Sequence, residues 1–383
     1  MAALLLAGQV VRNAAVHAFV DTDPAAASHA WPSHPDAAVA LGMSAIGAAA
    51  HRGQSVGPDV LAQIYSAAAK APLAARPYLV RGVQAQLAGD GPAAERAFQA
   101  AEWRDPRSLP ARYFLADAYL RAGDLRRGLT EFAALARLAP NGVVSVTPYL
   151  ASYARDPSRW PQIRALFRTD SELQDPTLQL LARDANNGAA ILALADPAHR
   201  NAKSLWLPTL LSALVSQGQF AKARAIWAEV AGVRTGPTDL LFDAGFVNAA
   251  PPPPFNWSLT SSTVGLAERQ SGGRLHVIYY GQEDGALATQ LLILPPGRYR
   301  LAMRVAGGSP QAASLRWSVV CASKQAPLAS AGLDTVAAQP LAFEVPAGCA
   351  AQRLELSGSS SDIAHQVEVT IQDLALVKVG ANG

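Results

Sequence analysis

Two patterns of hydrophobic and polar residues divide the chain. Residues 36–235 are interpreted as helices, because their apolar and proline positions recur every 34 residues. Beyond Pro251–Pro254 the period becomes two, and residues 298–305 alternate between apolar side chains and mostly arginine. Such alternation is typical of antiparallel strands with one wet face. The pattern therefore predicts an α + β protein with helices at 36–235 and an antiparallel β-sandwich at 240–383, separable near 236–240.

The repeat is carried by proline, by a bulky apolar residue and by a small or aliphatic one. The three sets are Pro72, Pro106, Pro140; Ile64, Phe98, Phe132; and Ala67, Ala101, Leu135. Gly89 and Gly123 occupy equivalent turns. Small residues let two helices approach closely, a bulky residue fills the gap between them, and proline begins the next helix because it cannot continue the last one.

These positions resemble the tetratricopeptide repeat, whose helix pair has a small residue in the first helix, Ala and an aromatic in the second, and Pro at the end. Matching residues in the units at 75–108 and 109–142 are Gly82, Ala94, Phe98, Ala101, Pro106, Ala116, Tyr119, Gly128, Phe132 and Pro140. The unit at 41–74 and a pair at 204–233 match less fully, with Ala48, Ile64, Ala67, Pro72 and with Gly218, Ala223, Trp227. Residues 143–203 are helical but off period, so the number of repeats stays open.

The resemblance implies a solenoid whose concave face is lined by the first helix of each pair. Such faces bind peptides, helices or partner domains. On this chain the corresponding positions are Arg76, Leu79 and Val83 in one first helix and Tyr113, Asp117 and Arg121 in the next. We expect a protein partner to bind there.

The second half resembles jelly-roll carbohydrate-binding modules over about 140 residues. Phe242-Asp243-Ala244-Gly245-Phe246, followed by Phe255-Asn256-Trp257, stands where those modules have their opening motif, and residues 370–376 match their closing strand. The resemblance implies a structural calcium ion held by Asp243 and Asp373. The acidic residue that usually follows the motif's last Phe is replaced by Val247, so one oxygen ligand is missing.

A glycan site on such a module needs exposed aromatic rings, because the C–H faces of sugars stack on them. Trp317 and Tyr299 alternate with core residues and are expected in the core, as is Trp257 from the resemblance. The remaining candidate is Tyr280, with His276 near it, and these two residues are the predicted glycan-binding side chains.

Composition and motifs argue against several other classes of protein. The net charge is +3 over 383 residues, and the sequence lacks the strongly basic stripe with interleaved aromatic residues that a dedicated nucleic-acid binder normally has. Gly53-Gln54-Ser55-Val56-Gly57 matches the sequence motif of a hydrolase nucleophile elbow, and Gly89-Asp90-Gly91 resembles a dinucleotide-binding loop. Both motifs require a preceding strand, whereas both segments here follow predicted helices. The histidines lack metal-ligand spacing. We therefore predict that the protein is not an enzyme and that it binds no cofactor apart from the structural calcium ion.

The two cysteines, Cys321 and Cys349, both fall in the predicted sandwich, and we expect them to form a disulfide. A disulfide implies an oxidising compartment. The first 35 residues contain a short apolar run, Met1–Val11, which is too short to span a bilayer. It is either the remnant of an export or anchor segment or the start of an amphipathic helix. The disulfide and this segment together lead us to expect the protein in the periplasm, free or anchored to the inner membrane.

The two resemblances together suggest a protein of bacterial exopolysaccharide assembly or export. The first hypothesis is a non-catalytic periplasmic scaffold or adaptor that binds a protein partner through its helical repeats. The alternative is a glycan-binding protein whose β-sandwich binds polysaccharide and whose repeats only position it. The partner, the polysaccharide and the oligomeric state do not follow from the sequence.

Overall fold

The first part of the chain folds into consecutive α-helices, as predicted. The structure is a computed structural model that describes residues 2–52, 54, 56–198, 200–234, 236, 239–306, 314–361 and 365–380. The helices are α1 (Ala2–Phe19), α2 (Pro24–Ala30), α3 (Pro35–His51), α4 (Pro58–Lys70), α5 (Arg76–Leu87), α6 (Gly91–Arg104), α7 (Leu109–Arg121), α8 (Leu125–Leu138), α9 (Gly142–Ala154), α10 (Trp160–Thr169), α11 (Gln174–Leu181), α12 (Gly188–Leu194), α13 (Trp206–Ser216) and α14 (Phe220–Ala231). Gly53 and Ser55 of the elbow-like motif lie outside the described residues.

Helices α3/α4, α5/α6 and α7/α8 form successive packed pairs with the spacing of the sequence repeat. The turns inside the last two pairs contain Gly89 and Gly123 at φ of 78° and 79°, a left-handed conformation that glycine adopts without strain. Asp90 and Asp124 then cap α6 and α8, each accepting a backbone N–H three residues further on. The glycine-rich segment at 89–91 is thus a turn between two helices, as expected.

Close approach within a pair depends on small residues in the first helix. A Cβ atom on Gly82 of α5 would lie 2.3 Å from the ring of Phe98 on α6, so only glycine fits there without a shift. Phe98 is fully buried and shares a core with Leu115 and Tyr119 of the following helix α7. The repeat positions Phe98 and Ala101 therefore belong to a core shared by α5, α6 and α7, and Ile64 and Ala67 belong to a separate core with Val39 and Val80.

The second part of the chain is an antiparallel β-sandwich, as predicted. Its strands are β1 (Ser258–Leu259), β2 (Gly265–Gln270), β3 (Arg274–Tyr279), β4 (Gly285–Leu292), β5 (Gly297–Ala306), β6 (Leu315–Cys321), β7 (Ala326–Gly332), β8 (Leu341–Val345), β9 (Gln352–Gly358) and β10 (Val367–Lys378), with helix α15 (Leu333–Ala338) after β7. They form two five-stranded sheets, here sheet I in the order β1-β4-β9-β6-β7 and sheet II in the order β2-β3-β10-β5-β8.

Alternation along the strands places one set of side chains between the two sheets. The aromatic residues Trp257, Tyr279, Tyr299 and Trp317 are all buried there, each 3% exposed or less. The expectation that Trp257, Tyr299 and Trp317 belong to the core is therefore confirmed.

The chain divides into two compact units. The first comprises Met1–Leu150 and Pro161–Glu172, and the second comprises Ala151–Trp160 and Leu173–Gly383. The boundary between the compact units lies earlier in the chain than the change from helical to strand pattern, because helices α11 to α14 belong to the unit that contains the sandwich. Thr235 and Pro237, at the predicted boundary, lie outside the described residues. That residues 240–383 fold by themselves stays a prediction.

Candidate functional sites

In the first unit, polar and aromatic side chains connect successive first helices. The carboxylate of Asp117 on α7 accepts a hydrogen bond from Gln86 of α5 at 3.2 Å and pairs with Arg121 one turn along at 2.9 Å. Tyr149 of α9 lies close enough to the hydroxyl of Tyr113 on α7 to raise its pKa. We call Gln86, Tyr113, Asp117, Arg121 and Tyr149 the first-helix face. It contains three of the six residues that the sequence predicted for partner binding.

The first-helix face combines exposed rings with charged groups. Tyr113 and Tyr149 are 46% and 43% exposed. The interaction with Tyr149 raises the pKa of the Tyr113 hydroxyl. Tyrosine and arginine are the residue types that dominate protein interfaces, so this surface is chemically suited to a protein partner.

The three predicted residues of α5 lie elsewhere. Leu79 is only 9% exposed and packs in the core with Phe98, and half-buried Val83 packs against the same core. Arg76 is exposed at the start of the helix and forms an ion pair with Asp21. Leu79 is therefore a core residue, and Val83 lies at the edge of the core that α5 shares with α6 and α7. The α5 residue on the first-helix face is Gln86, which sequence reasoning missed.

On the outer face of sheet II, His276 lies between two carboxylates. Its Nδ1 is 3.2 Å from Glu268 on β2, and its Nε2 is 2.9 Å from Glu368 on β10. The hydrogen bond with Glu368, and secondarily that with Glu268, raises the pKa of the imidazole, against the opposing effect of partial burial. Tyr280 follows directly after β3 and is 37% exposed. Sequence analysis named His276 and Tyr280 but not the glutamates, which only the strand register brings to the histidine.

Asp243 organises the opening segment of the sandwich. Its fully buried carboxylate accepts the backbone N–H groups of Val247 and Asn248 at 2.7 and 2.9 Å, and it pairs with Arg269 on β2 at 3.2 Å. Its backbone carbonyl accepts the indole N–H of Trp257. The opening motif therefore closes a turn onto the core, and a guanidinium provides the counter-charge of Asp243.

Asp373 has a separate counter-charge. It sits in a bulge of β10 with a φ of 55° and pairs with Arg304 on β5. Over the described ranges, no group of three or more His, Cys, Asp or Glu side chains has the arrangement of a metal site. Asp243 and Asp373 are thus each bound to an arginine, and the calcium ion stays a prediction.

Cys321 at the end of β6 and Cys349 in the turn before β9 form a disulfide, as predicted. Their Cα atoms are 5.7 Å apart, and the bond closes a loop with a sequence separation of 28 residues. Both cysteines are buried in the sandwich core. The bond is compatible with a location outside the cytoplasm, where disulfides persist.

No protein-family model and no curated protein matches this chain. Within the part of the chain that the structure describes, none of the helices is both long and apolar enough to cross a membrane. In the N-terminal helix α1, the large apolar side chains Leu6, Val10 and Val11 are each about two-thirds exposed.

Proposed function

We propose that this protein is a non-catalytic scaffold or adaptor of bacterial exopolysaccharide assembly, acting in the periplasm and binding a protein partner through its helix pairs. The observation that carries the proposal is the first-helix face, where Tyr113 and Tyr149 remain exposed beside the Asp117–Arg121 ion pair. Isolated exposed side chains are common on any surface. Here two exposed tyrosines, on α7 and α9, lie near enough for one to raise the pKa of the other.

The second half supports the proposed compartment. The disulfide between Cys321 and Cys349 lies in the sandwich, and disulfides are rare in proteins kept in a reducing cytoplasm. The link to exopolysaccharide comes from the resemblance of the helical repeats and sandwich to proteins of that kind.

The test is capture of partners from the periplasmic and membrane fractions of the source bacterium, with the tagged full chain as bait. The test variant combines Tyr113→Ala with Arg121→Glu, and the matched control is Arg96→Glu, an exposed arginine on the second helix α6. A specific partner should be lost with the test variant and kept with the control. Equal capture by both variants would rule out the first-helix face.

A second set of variants tests the predicted partner-binding residue Arg76. Reversing charge at Arg76 and Arg121 together should weaken capture if the surface extends to the start of α5. Arg76 is paired with Asp21. The single variant Arg76→Glu shows whether Arg76 itself contributes to partner binding or whether the effect of the double variant comes from Arg121. Loss of capture with Arg76→Glu alone would extend the binding surface to that helix start.

A glycan-binding protein is the second candidate, and the outer face of sheet II favours it. Tyr280 offers a partly exposed ring, and His276 with its two glutamates offers hydrogen-bond donors and acceptors suited to sugar hydroxyls. In native gels containing soluble polysaccharide, Tyr280→Ala and His276→Ala should each reduce retardation of the chain. Retardation unchanged by both substitutions would exclude this face.

A further inference from the structure

The second unit contains a cleft of about 640 Å³ that the expected sites do not include. It lies between the turn joining α13 to α14, the Pro253–Pro254 segment and the outer face of sheet I. The loops on either side of the disulfide form its remaining wall, through Ala322 and Ala350. Its volume falls in the range of small-ligand and oligosaccharide sites.

The walls of the cleft are fixed by buried contacts. Trp227 of α14 is fully buried, donates its indole N–H to the carbonyl of Pro252 at 2.8 Å and packs edge-on against Phe242. The backbone N–H of Leu291 on β4 donates to the carbonyl of Pro254 at 2.8 Å. These contacts hold the helix pair and the proline segment on the sandwich, so a ligand meets a preformed site and less ordering free energy is lost on binding.

A row of polar side chains on sheet I begins in the cleft. Ser258 on β1 lies directly opposite Thr289 on β4, and both residues line the cleft. The row continues beyond the lining residues through Glu355 on β9 to Ser318 on β6. The hydroxyls of Ser258 and Thr289 make no side-chain hydrogen bond to another described residue. The whole row covers three strand spacings, or roughly 14 Å, so a chain of a few sugar units held in the cleft can continue along it.

Arg353 on β9 stands in the cleft beside this row. Its Nε is 3.3 Å from Oε2 of Glu355, yet this buried nitrogen has no hydrogen-bond partner of acceptable geometry among the described residues. A guanidinium next to a carboxylate presents donors and acceptors side by side. Two neighbouring sugar hydroxyls, each both donor and acceptor, match that arrangement.

The cleft also contains apolar surface. Val215, Phe220, Pro254 and Leu291 line it next to the polar floor. A small number of placed polar groups in a mostly apolar site is the usual composition of a specific ligand pocket. Because Glu355 balances the charge of Arg353, the site favours a neutral ligand over a polyanion.

We propose that this cleft, with its floor of Ser258, Thr289 and Arg353, binds a neutral polysaccharide chain. The inference rests on the proposed role in exopolysaccharide assembly and adds the surface at which the polymer is held. The site is on sheet I, whereas the candidate glycan residues His276 and Tyr280 are on sheet II. The two sites can therefore be separated by substitution.

The experiment is affinity electrophoresis of the full chain in native gels containing hydroxyethyl-cellulose, dextran, galactomannan or alginate. Thr289→Val removes one hydroxyl while keeping a β-branched side chain, and Thr370→Val makes the same change on the outer face of sheet II, opposite His276. Arg353→Met removes the guanidinium and keeps an unbranched apolar stem. Thermal melting of each variant checks that it is folded.

We expect retardation by at least one neutral polysaccharide. Thr289→Val should weaken it about 3- to 10-fold, because one hydrogen bond is lost, and Arg353→Met about tenfold or more, because its hydrogen bonds are charge-assisted. Thr370→Val should leave it unchanged. No retardation by any neutral polymer, retardation by alginate alone, or sensitivity to Thr370→Val without sensitivity to Thr289→Val would each overturn the proposal. Partner capture through the first-helix face is measured independently, so failure of either activity is distinguishable from failure of the other.

Discussion

Trp227 is the residue through which the last helix pair is held on the sandwich. Its side chain is fully buried, its indole N–H donates to Pro252 at 2.8 Å, and its ring contacts Phe242 and Phe255 with centroids 5.0 and 5.7 Å apart. The guanidinium of Arg224 also lies 4.6 Å from the ring centroid. Replacement of this side chain therefore removes several kinds of contact at once.

The loss of stability expected from replacing Trp227 follows from these contacts. Truncation of a buried Trp to Ala costs about 3–5 kcal/mol through lost burial and the cavity left behind. Of this, the hydrogen bond to Pro252 contributes about 1 kcal/mol, and the edge-on contact with Phe242 about 0.5–1.5 kcal/mol. We predict that Trp227→Ala lowers the free energy of unfolding of the second unit by about 3–5 kcal/mol. Trp227→Phe, which keeps a ring but loses the donor, should cost less than half as much.

The assay is urea unfolding of the full chain, followed by far-ultraviolet circular dichroism and by hydrogen exchange of peptides from α14 and from residues 251–259. The control is Trp103→Ala on α6, the same substitution at a side chain that is 72% exposed. It should cost less than about 0.5 kcal/mol. If Trp227→Ala changes stability by less than about 1 kcal/mol, or no more than Trp103→Ala does, the helix pair does not form one packed core with the sandwich.

Three further predictions concern other parts of the chain. Relative to oxidised wild type, Cys321→Ser should lower the free energy of unfolding by about 3.5 kcal/mol on the chain-entropy model. Its difference from reduced wild type, which also lacks the cross-link, measures the packing contribution alone. Gly82→Ala should destabilise the first unit by about 1–2 kcal/mol because its Cβ meets the Phe98 ring. Gly47→Ala, in a helix with no atom within 4 Å of the new Cβ, should be neutral or stabilising by up to about 1 kcal/mol; equal thermal shifts for the two would contradict the packing argument. The raised pKa of His276 stabilises the folded state at pH values below the unfolded pKa of 6.5, and this stabilisation is lost as the pH rises through the higher folded pKa. The difference in free energy of unfolding between wild type and His276→Gln, measured by urea titration, should therefore shrink from pH 5.5 to pH 8.5.

The sequence by itself determined the class of each half. A 34-residue repeat with Gly82 and Phe98 at defined positions predicted helix pairs, because only a small residue opposite a large one lets two helices pack closely. Alternation of apolar and polar residues predicted the strands and the buried aromatic residues, because a strand turns successive side chains to opposite faces. Two cysteines confined to one predicted domain were enough to predict the disulfide.

Only the tertiary structure decided which residues meet. Glu268 and Glu368 lie 100 residues apart in the sequence, and the strand register alone brings both to His276. Leu79 was expected on a binding surface and lies in the core, because the rotation of α5 about its axis depends on the helix it packs against. The junction around Trp227 likewise belongs to the sandwich although the local pattern there is helical. Local patterns specify periodicity, whereas register, helix rotation and domain limits depend on contacts between residues distant in the chain.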